Sequence, residues 1–185
     1  MKEENCIILD FLPNGYPDRR HAEPIAQALG TNSFSLLELV PRENVTLHSQ
    51  DEVYIGDGKR DKIRFIRGQL SYSELTNMSR MLLPEMVEEI VKRNEKKYIE
   101  FYNKATIVTP RMHQFQLLPG VGKKHLMDIL DERRKKPFSS FDDLRERVKL
   151  FPDPMKTIVR RIVDELEKDE KYALFVNKPK KKEIA

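Results

Sequence analysis

The chain has 185 residues, 39% of them apolar and 35% charged, with a net charge of +4 at pH 7, which allows one large domain or two small ones with modest cores. No run of about eighteen apolar residues is present to span a membrane, and the start MKEENCIILDFLPNGYP is too acidic and too briefly apolar for a leader. Cys6 is the single cysteine, which excludes an internal disulfide framework and a cysteine-based zinc site and makes a reducing, cytoplasmic location the expectation.

In chain order, the first seventy residues read as strands. Cys6–Leu12 is a nearly continuous apolar run closed by Pro13-Asn14-Gly15, and Phe34–Val40 is a second such run. Glu52–Gly56 and Ile63–Leu70 flank the loop Asp57-Gly58-Lys59-Arg60-Asp61 and are expected to pair as a hairpin. Between the first two strands, Pro24–Leu29 is expected to form a short helix ended by Gly30. Short strands separated by turns predict a small closed or half-closed β-barrel over residues 1–72.

Residues 73–105 are expected to be connecting helices. Ser71 or Ser73 can cap a short helix that runs to Met81. Pro84 suits a first helical position, and Val87, Ile90, Val91, Asn94, Tyr98, Phe101 and Tyr102 recur at helical spacing, predicting one long amphipathic helix over 84–103. Residues 106–170 read as an all-α domain. Thr109-Pro110 is a cap-plus-proline start for a helix to about 118, which the PGVG stretch breaks. A second helix is expected over Lys123–Lys135 and is stopped by Pro137. Ser140 with Asp143 caps a third, reaching about Lys149. Asp153-Pro154 starts a fourth, with Met155, Ile158, Val159, Ile162, Val163 and Leu166 as its apolar stripe. Residues 171–185 form a basic tail with no periodicity, expected to be partly disordered. The fold class is therefore α+β, a small N-terminal barrel followed by a helical domain.

The stretch LLPGVGKKH, residues 117–125, carries most of the functional information. Glycine permits positive φ and removes the Cβ that would keep two helices apart. Val121, between two glycines, can turn inward and plug the space between them. The turn also leads straight into a helix N-terminus, where backbone N–H groups lack intrahelical partners and the helix dipole is positive. An anion can approach those groups past Gly120 and Gly122, and Lys123 and Lys124 add two positive charges. The charge distribution agrees: residues 1–104 carry a net −2, and residues 105–185 a net +6. A faint repeat relates LLPGVGKKHLMDIL to KLFPDPMKTIVRRI at an offset of 32, with Gly120 and Gly122 opposite Pro152 and Pro154. The second unit reads as a degenerate hairpin reduced to a plain turn, with a role in packing.

The run Leu118-Pro119-Gly120-Val121-Gly122-Lys123-Lys124, with Leu126 and Ile129 following, resembles the helix-hairpin-helix motif of nucleic-acid-binding proteins, and KKPFSSFDDL at 135–144 resembles the tail of tandem units of that kind. The resemblance implies sequence-independent binding of the sugar-phosphate backbone of RNA or DNA. The amides of Gly120, Val121 and Gly122 would be the donors, and Lys123 and Lys124 the phosphate contacts. It also implies room for a monovalent cation at the turn carbonyls and no other cofactor. Over nearly the whole chain, the barrel, the connecting helices, RMHQFQLLPGVGKKHL and PFSSFDDLRERV are similar to an uncharacterised archaeal family described as predicted nucleic-acid-binding. That family has an oligonucleotide-binding-type barrel before a helix-hairpin-helix domain. Its genes often lie near translation and RNA-modification genes, which points toward RNA and translation-related protein partners. The alternative is a protein-interaction adaptor in a ribosome- or transcription-linked complex, in which the hairpin is purely structural.

Other stretches carry weaker signals. Lys59, Arg60, Lys62, Arg64 and Arg67 lie near Tyr54 and Phe65, a pattern that could form a single-strand groove; an ordinary exposed hairpin with Ile63 and Phe65 in the core is the favoured reading, because strand alternation already explains Phe65. Arg133-Arg134-Lys135-Lys136 and Arg160-Arg161 suit helix C-termini and could widen a phosphate footprint, and Lys178, Lys180, Lys181 and Lys182 would add salt-sensitive affinity. Gly122-Lys123 fails as a P-loop, having Leu117 where the first glycine belongs and Lys124 where Ser or Thr belongs. His21, His48, His113 and His125 lack ligand spacing, and His21-Ala22-Glu23 has no PCxxC partner for a zinc deaminase. Asp142-Asp143 and Glu88-Glu89 fit helix ends and solvent exposure. No nucleophile–base pattern is present, so the expectation is a binding protein, not an enzyme, with no metal site.

Overall fold

The structure is a computed structural model that describes residues 3–17, 23–168 and 170–178. It divides into two compact units, one of Met1–Met86 with Glu165–Ala185 and one of Val87–Asp164. His21 and the lysines at 180–182 lie outside the described residues.

The first unit is built on five antiparallel strands: β1 (Asn5–Leu12), β2 (Ile25–Gly30), β3 (Leu36–Pro41), β4 (Glu52–Tyr54) and β5 (Ile63–Gln69). Their order is β4-β1-β2-β3-β5. Strands 4-1-2-3 make a Greek key, with β5 added beside β3. Val53 from one edge strand and Ile63 from the other join Cys6, Ile8, Ala26, Ala28, Leu37 and Leu39 in one apolar cluster. A sheet whose two edges share one core must curl, and this one forms a half-barrel. β4 and β5 are its opposite edges, not the hairpin expected from the sequence. The ladders to β1 and β3 supply the partners that a local hairpin would have supplied.

The expected helix at 24–29 is instead β2. Ala, Gln and Leu favour helix locally, but all six residues of Ile25–Gly30 are buried between two neighbouring strands, and that pairing overrides propensity. In β5, a register shift between Val40 and Pro41 opposite Ile63–Phe65 breaks the alternation. Ile63 is fully buried as expected, whereas Phe65 turns outward and is 38% exposed.

Ser71 and Glu74 form a capping box, but on a single 3₁₀ turn, Tyr72–Glu74. The helix that follows, α1 (Asn77–Arg93), is capped by Thr76, whose Oγ1 accepts the Ser79 N–H at 3.1 Å. Pro84 lies inside α1, not at its start, at the cost of one backbone hydrogen bond. The long helix expected over 84–103 is broken at Asn94, whose side-chain amide donates to the Ile90 carbonyl at 2.8 Å and ends α1. α2 (Glu95–Lys104) begins at the next residue. Of the predicted stripe, Val87, Ile90, Val91, Tyr98 and Tyr102 are buried, Phe101 is half-buried and Asn94 is exposed.

Of the basic tail expected over 171–185, residues 171–178 are described and the rest lie outside the described residues. The Glu165 carboxylate is fully buried and accepts the backbone N–H groups of Leu174, Phe175 and Val176 at 2.7, 3.0 and 3.0 Å. The strap then joins the sheet side, with the Asn177 N–H on Ser33 O at 2.9 Å and the Gln69 amide on Asn177 O at 2.6 Å.

In the second unit, Thr109-Pro110 starts no helix. Pro110 and Arg111 form a turn between two short strands, β6 (Ile107–Thr109) and β7 (Met112–His113). Proline suits that turn position as well as it suits a helix start. A 3₁₀ turn, Gln114–Leu117, replaces the expected helix over 110–118. The helices α3 (Lys123–Lys135), α4 (Phe141–Arg147) and α5 (Pro154–Glu167) follow close to expectation. Ser140 Oγ accepts the Asp143 N–H at 3.0 Å, as the cap signal requires.

His113 caps the 3₁₀ turn, its Nδ1 accepting the Phe115 N–H at 3.1 Å. Burial, and then the nearby Arg133 guanidinium, hold its imidazole below the ordinary histidine range, against a backbone bond at Ala105. Neutral His113 therefore contributes stability that is fully present above about pH 6.5 and is lost as pH falls through the lower folded value. The urea midpoint is expected to fall on acidification from neutral to about pH 5, and His113→Asn, which keeps an acceptor but does not titrate, should flatten that part of the profile.

Candidate nucleic-acid interface

The turn before α3 is shaped by Gly120, whose φ is +77° and whose absent Cβ would lie 3.3 Å from Pro152 Cγ. Both features favour glycine there. Leu118 is buried, its carbonyl accepts the Val121 N–H at 3.3 Å, and Val121 is buried as the predicted plug. Gly122 differs from Gly120. Its φ of −88° and ψ of −178° are open to any residue, and no atom lies within 4 Å of where its Cβ would be. It is the N-cap of α3, makes no side-chain cap bond, and is exposed, as are Lys123 and Lys124. The first helical bond is Leu126 N–H to Gly122 O at 3.0 Å, so the N–H groups before it have no partner within the helix. His125 sits half-buried behind the lysines, with Nδ1 3.3 Å from Gly120 O.

The second turn repeats the backbone bond of the first, and the two align differently from the sequence expectation. The Phe151 N–H bonds to Val148 O at 3.4 Å, matching Val121 to Leu118 at an offset of 30, not 32. Leu150, with φ +61°, stands where Gly120 stands, and buried Phe151 stands where Val121 stands. Asp153 then takes the place of Gly122, one residue later. Its carbonyl accepts the Thr157 N–H at 2.9 Å, and its Oδ1 accepts the Lys156 N–H at 2.9 Å. The N-terminus of α5 therefore holds a carboxylate, whereas no N-cap side chain bonds to the N-terminus of α3.

The weaker basic candidates lie elsewhere. Arg133 donates to the carbonyls of Tyr102 at 3.2 Å and Ala105 at 2.9 Å, closing the C-terminal end of α2. Arg134 is exposed and pairs with Asp131 at 3.1 Å. Both sit at the far end of α3 from Lys123, roughly 15 Å along its axis. In the first unit, Arg60 Nε bonds Gly56 O at 2.9 Å and Lys62 is 3.7 Å from Asp51. Lys59 is exposed on the same loop, and Tyr54 holds that loop by accepting the Gly58 N–H at 3.0 Å. Arg64 lies 5.9 Å over the exposed Phe65 ring and lines a groove of about 930 Å³ with Phe11, Pro41, Arg42 and Val45.

A buried polar row on the sheet was not singled out by sequence reasoning. Asp10, Gln27 and Glu38 are neighbours on β1, β2 and β3. Thr76 Oγ1 donates to Asp10 at 2.7 Å, the Thr76 N–H to Gln27 Oε1 at 2.9 Å, and the Gln27 amide to Tyr16 at 2.8 Å. Arg67 bridges Glu38, at 2.9 Å, and Glu23. The signal was present: each apolar strand run carries one polar residue near its middle. These groups are paired with one another, so the row ties β1, β2, β3 and β5 to the residues before α1. Among the described residues, no cluster of His, Cys, Asp and Glu is arranged to hold a metal, and no helix is long and apolar enough to cross a membrane.

A family model described as "Protein of unknown function (DUF655)" matches residues 2–177. The chain is similar to Uncharacterized protein MJ0038 of Methanocaldococcus jannaschii, with 42% identity over 176 residues covering 94% of this chain and 80% of that protein. It is also similar to the crystal structure of Af1531 from Archaeoglobus fulgidus, with 43% identity and a TM-score of 0.84 over 95% of this chain and 100% of that one. A curled antiparallel half-barrel followed by helices, matched along nearly its whole length in both sequence and fold, makes this chain a member of the DUF655 family of uncharacterised archaeal proteins.

Proposed function

We propose that the protein binds the sugar-phosphate backbone of RNA or DNA, without turnover, at Gly120, Val121, Gly122, Lys123 and Lys124 in a helix-hairpin-helix-type turn. The observation that carries this reading is Gly122. Neither its backbone conformation nor its surroundings call for glycine, yet it leaves the start of α3 uncapped and open beside two exposed lysines. The comparable position before α5 is filled by the Asp153 carboxylate. One helix start has satisfied its own charge preference, and the other is free to take a phosphate from outside. The turn carbonyls, Gly120 O among them, offer oxygen donors to a monovalent cation that would bridge to the same phosphate. The half-barrel, read as an oligonucleotide-binding-type fold, has a Greek-key order compatible with a second contact surface at Arg42, Arg64 and Phe65.

The test is a fluorescence-anisotropy titration with duplex DNA, duplex RNA and single-stranded RNA at several salt concentrations. Wild type should bind with log K falling steeply with log salt. Lys123→Ala with Lys124→Ala should flatten the slope by about 1 to 2 units, since each lost phosphate contact on duplex DNA is worth about 0.9. The double variant should melt with wild type, because both side chains are exposed. Unchanged binding by a folded double variant would leave the hairpin as a scaffold and favour the adaptor reading.

A further inference from the structure

We propose that Leu150 is an apolar contact that the second hairpin sets into the minor groove of a nucleic-acid duplex whose phosphates are held at the first hairpin. The inference rests on the backbone-binding reading above and adds a residue and a ligand form to it. Leu150 has φ +61° and is 87% exposed. The left-handed region is strained for a leucine, and the matching position in the first hairpin is glycine, which adopts it freely. Phe34 also has a positive φ, but it is fully buried, so packing offsets its strain. At Leu150 the bond from the Phe151 N–H to Val148 O fixes the turn, but the side chain itself gains no burial. A strained backbone that holds a large apolar side chain in water points to a contact made outside the chain.

The location of Leu150 identifies the contact. Pro152, two residues on, packs at 3.3 Å against the space a Gly120 Cβ would fill, and Phe151 meets the His125 ring edge-on at 5.5 Å. The turn carrying Leu150 therefore rests directly on the turn carrying the phosphate donors. Lys149 and Lys156 flank it and are exposed, and the Asp153 carboxylate beside them is engaged with the Lys156 N–H and, at 3.6 Å, with Arg145. A single apolar tip among cations fits a groove floor of sugar rings and base edges between phosphate rows. Apolar side chains are used this way in minor grooves. Single strands are held instead by stacking on aromatics, and this tip has no exposed aromatic.

The test uses Leu150→Asn and Leu150→Met in the full chain. Asparagine tolerates positive φ, so Leu150→Asn should melt no lower than wild type. It should bind duplex about tenfold more weakly, as the loss of one buried apolar side chain implies, with its salt slope unchanged. Leu150→Met should restore duplex affinity, and affinity for single-stranded RNA should not move. Parallel arms with duplex DNA and duplex RNA identify which minor groove is used. If Leu150→Asn binds both duplexes as wild type does while the Lys123/Lys124 double alanine flattens the slope, the Leu150 contact is overturned and the phosphate site stands. If wild type binds no nucleic acid, or the double alanine leaves the slope unchanged, the parent reading fails and this one falls with it.

Discussion

Gly122→Asp is expected to stabilise the fold slightly and to abolish nucleic-acid binding. The substitution copies Asp153 of the second hairpin into the first. No atom lies within 4 Å of the new Cβ, and the backbone at 122 is extended, so the carboxylate can reach the α3 N–H groups without strain. A capping carboxylate in place of glycine is worth about 0.5 kcal/mol from the cap and the helix dipole together. The same carboxylate occupies the anion position and repels a phosphate, so affinity should fall at least about a hundredfold. Gly122→Asn, a neutral cap, separates occupancy from charge and should lose less. Thermal melting and anisotropy at one salt concentration read both effects. A Gly122→Asp protein that binds as tightly as wild type would show that phosphate is held elsewhere.

Glu165→Ala is expected to cost about 3 kcal/mol in urea denaturation, the largest stability loss expected from removing one polar side chain here. The carboxylate is fully buried and holds three consecutive N–H groups at 174–176. Removing it leaves those donors, half-buried or buried, without their acceptor, and each costs about 1 kcal/mol or more. The strap should loosen first, read as faster hydrogen exchange at Leu174, Phe175 and Val176 than elsewhere. Glu165→Gln keeps one oxygen acceptor and should cost less. A loss below about 1 kcal/mol in the alanine variant would mean that the strap is held by its apolar contacts at Val176 instead.

These two residues were not equally legible. Gly122 was visible in the sequence because LLPGVGKKH puts turn, helix start and charge in adjacent positions, and every relation that matters there spans fewer than ten residues. The helix starts at Phe141 and Pro154 were legible for the same reason, since a cap is a local hydrogen bond. Glu165 lies beside the apolar stripe expected on its helix and was not singled out. Its partners lie nine to eleven residues onward in a stretch with no periodicity, and nothing local marks them.

The misread elements share a cause. Ile25–Gly30 has helical composition but becomes a strand because β1 and β3 lie on either side. Thr109-Pro110 suits a helix start or a turn equally, and the pairing of Ile107 with His113 selects the turn. Glu52–Tyr54 and Ile63–Gln69 flank a hairpin-like loop, yet each pairs with a different neighbour. Phe65 left the core through one register shift that alternation cannot foresee.

What the sequence determined by itself is what depends on near neighbours: the caps, the proline and glycine breaks, the apolar stripe at 87–102, and the charged uncapped turn at 120–124. The tertiary structure alone decided which strands pair, that the two sheet edges share one core, and that the C-terminal strap returns to the first unit. It also set the register of the two hairpins, putting Leu150 rather than Pro152 in the glycine position. Strand pairing and hairpin register depend on contacts between residues far apart in the chain, whose free energy is realised only once the chain has closed the loops between them.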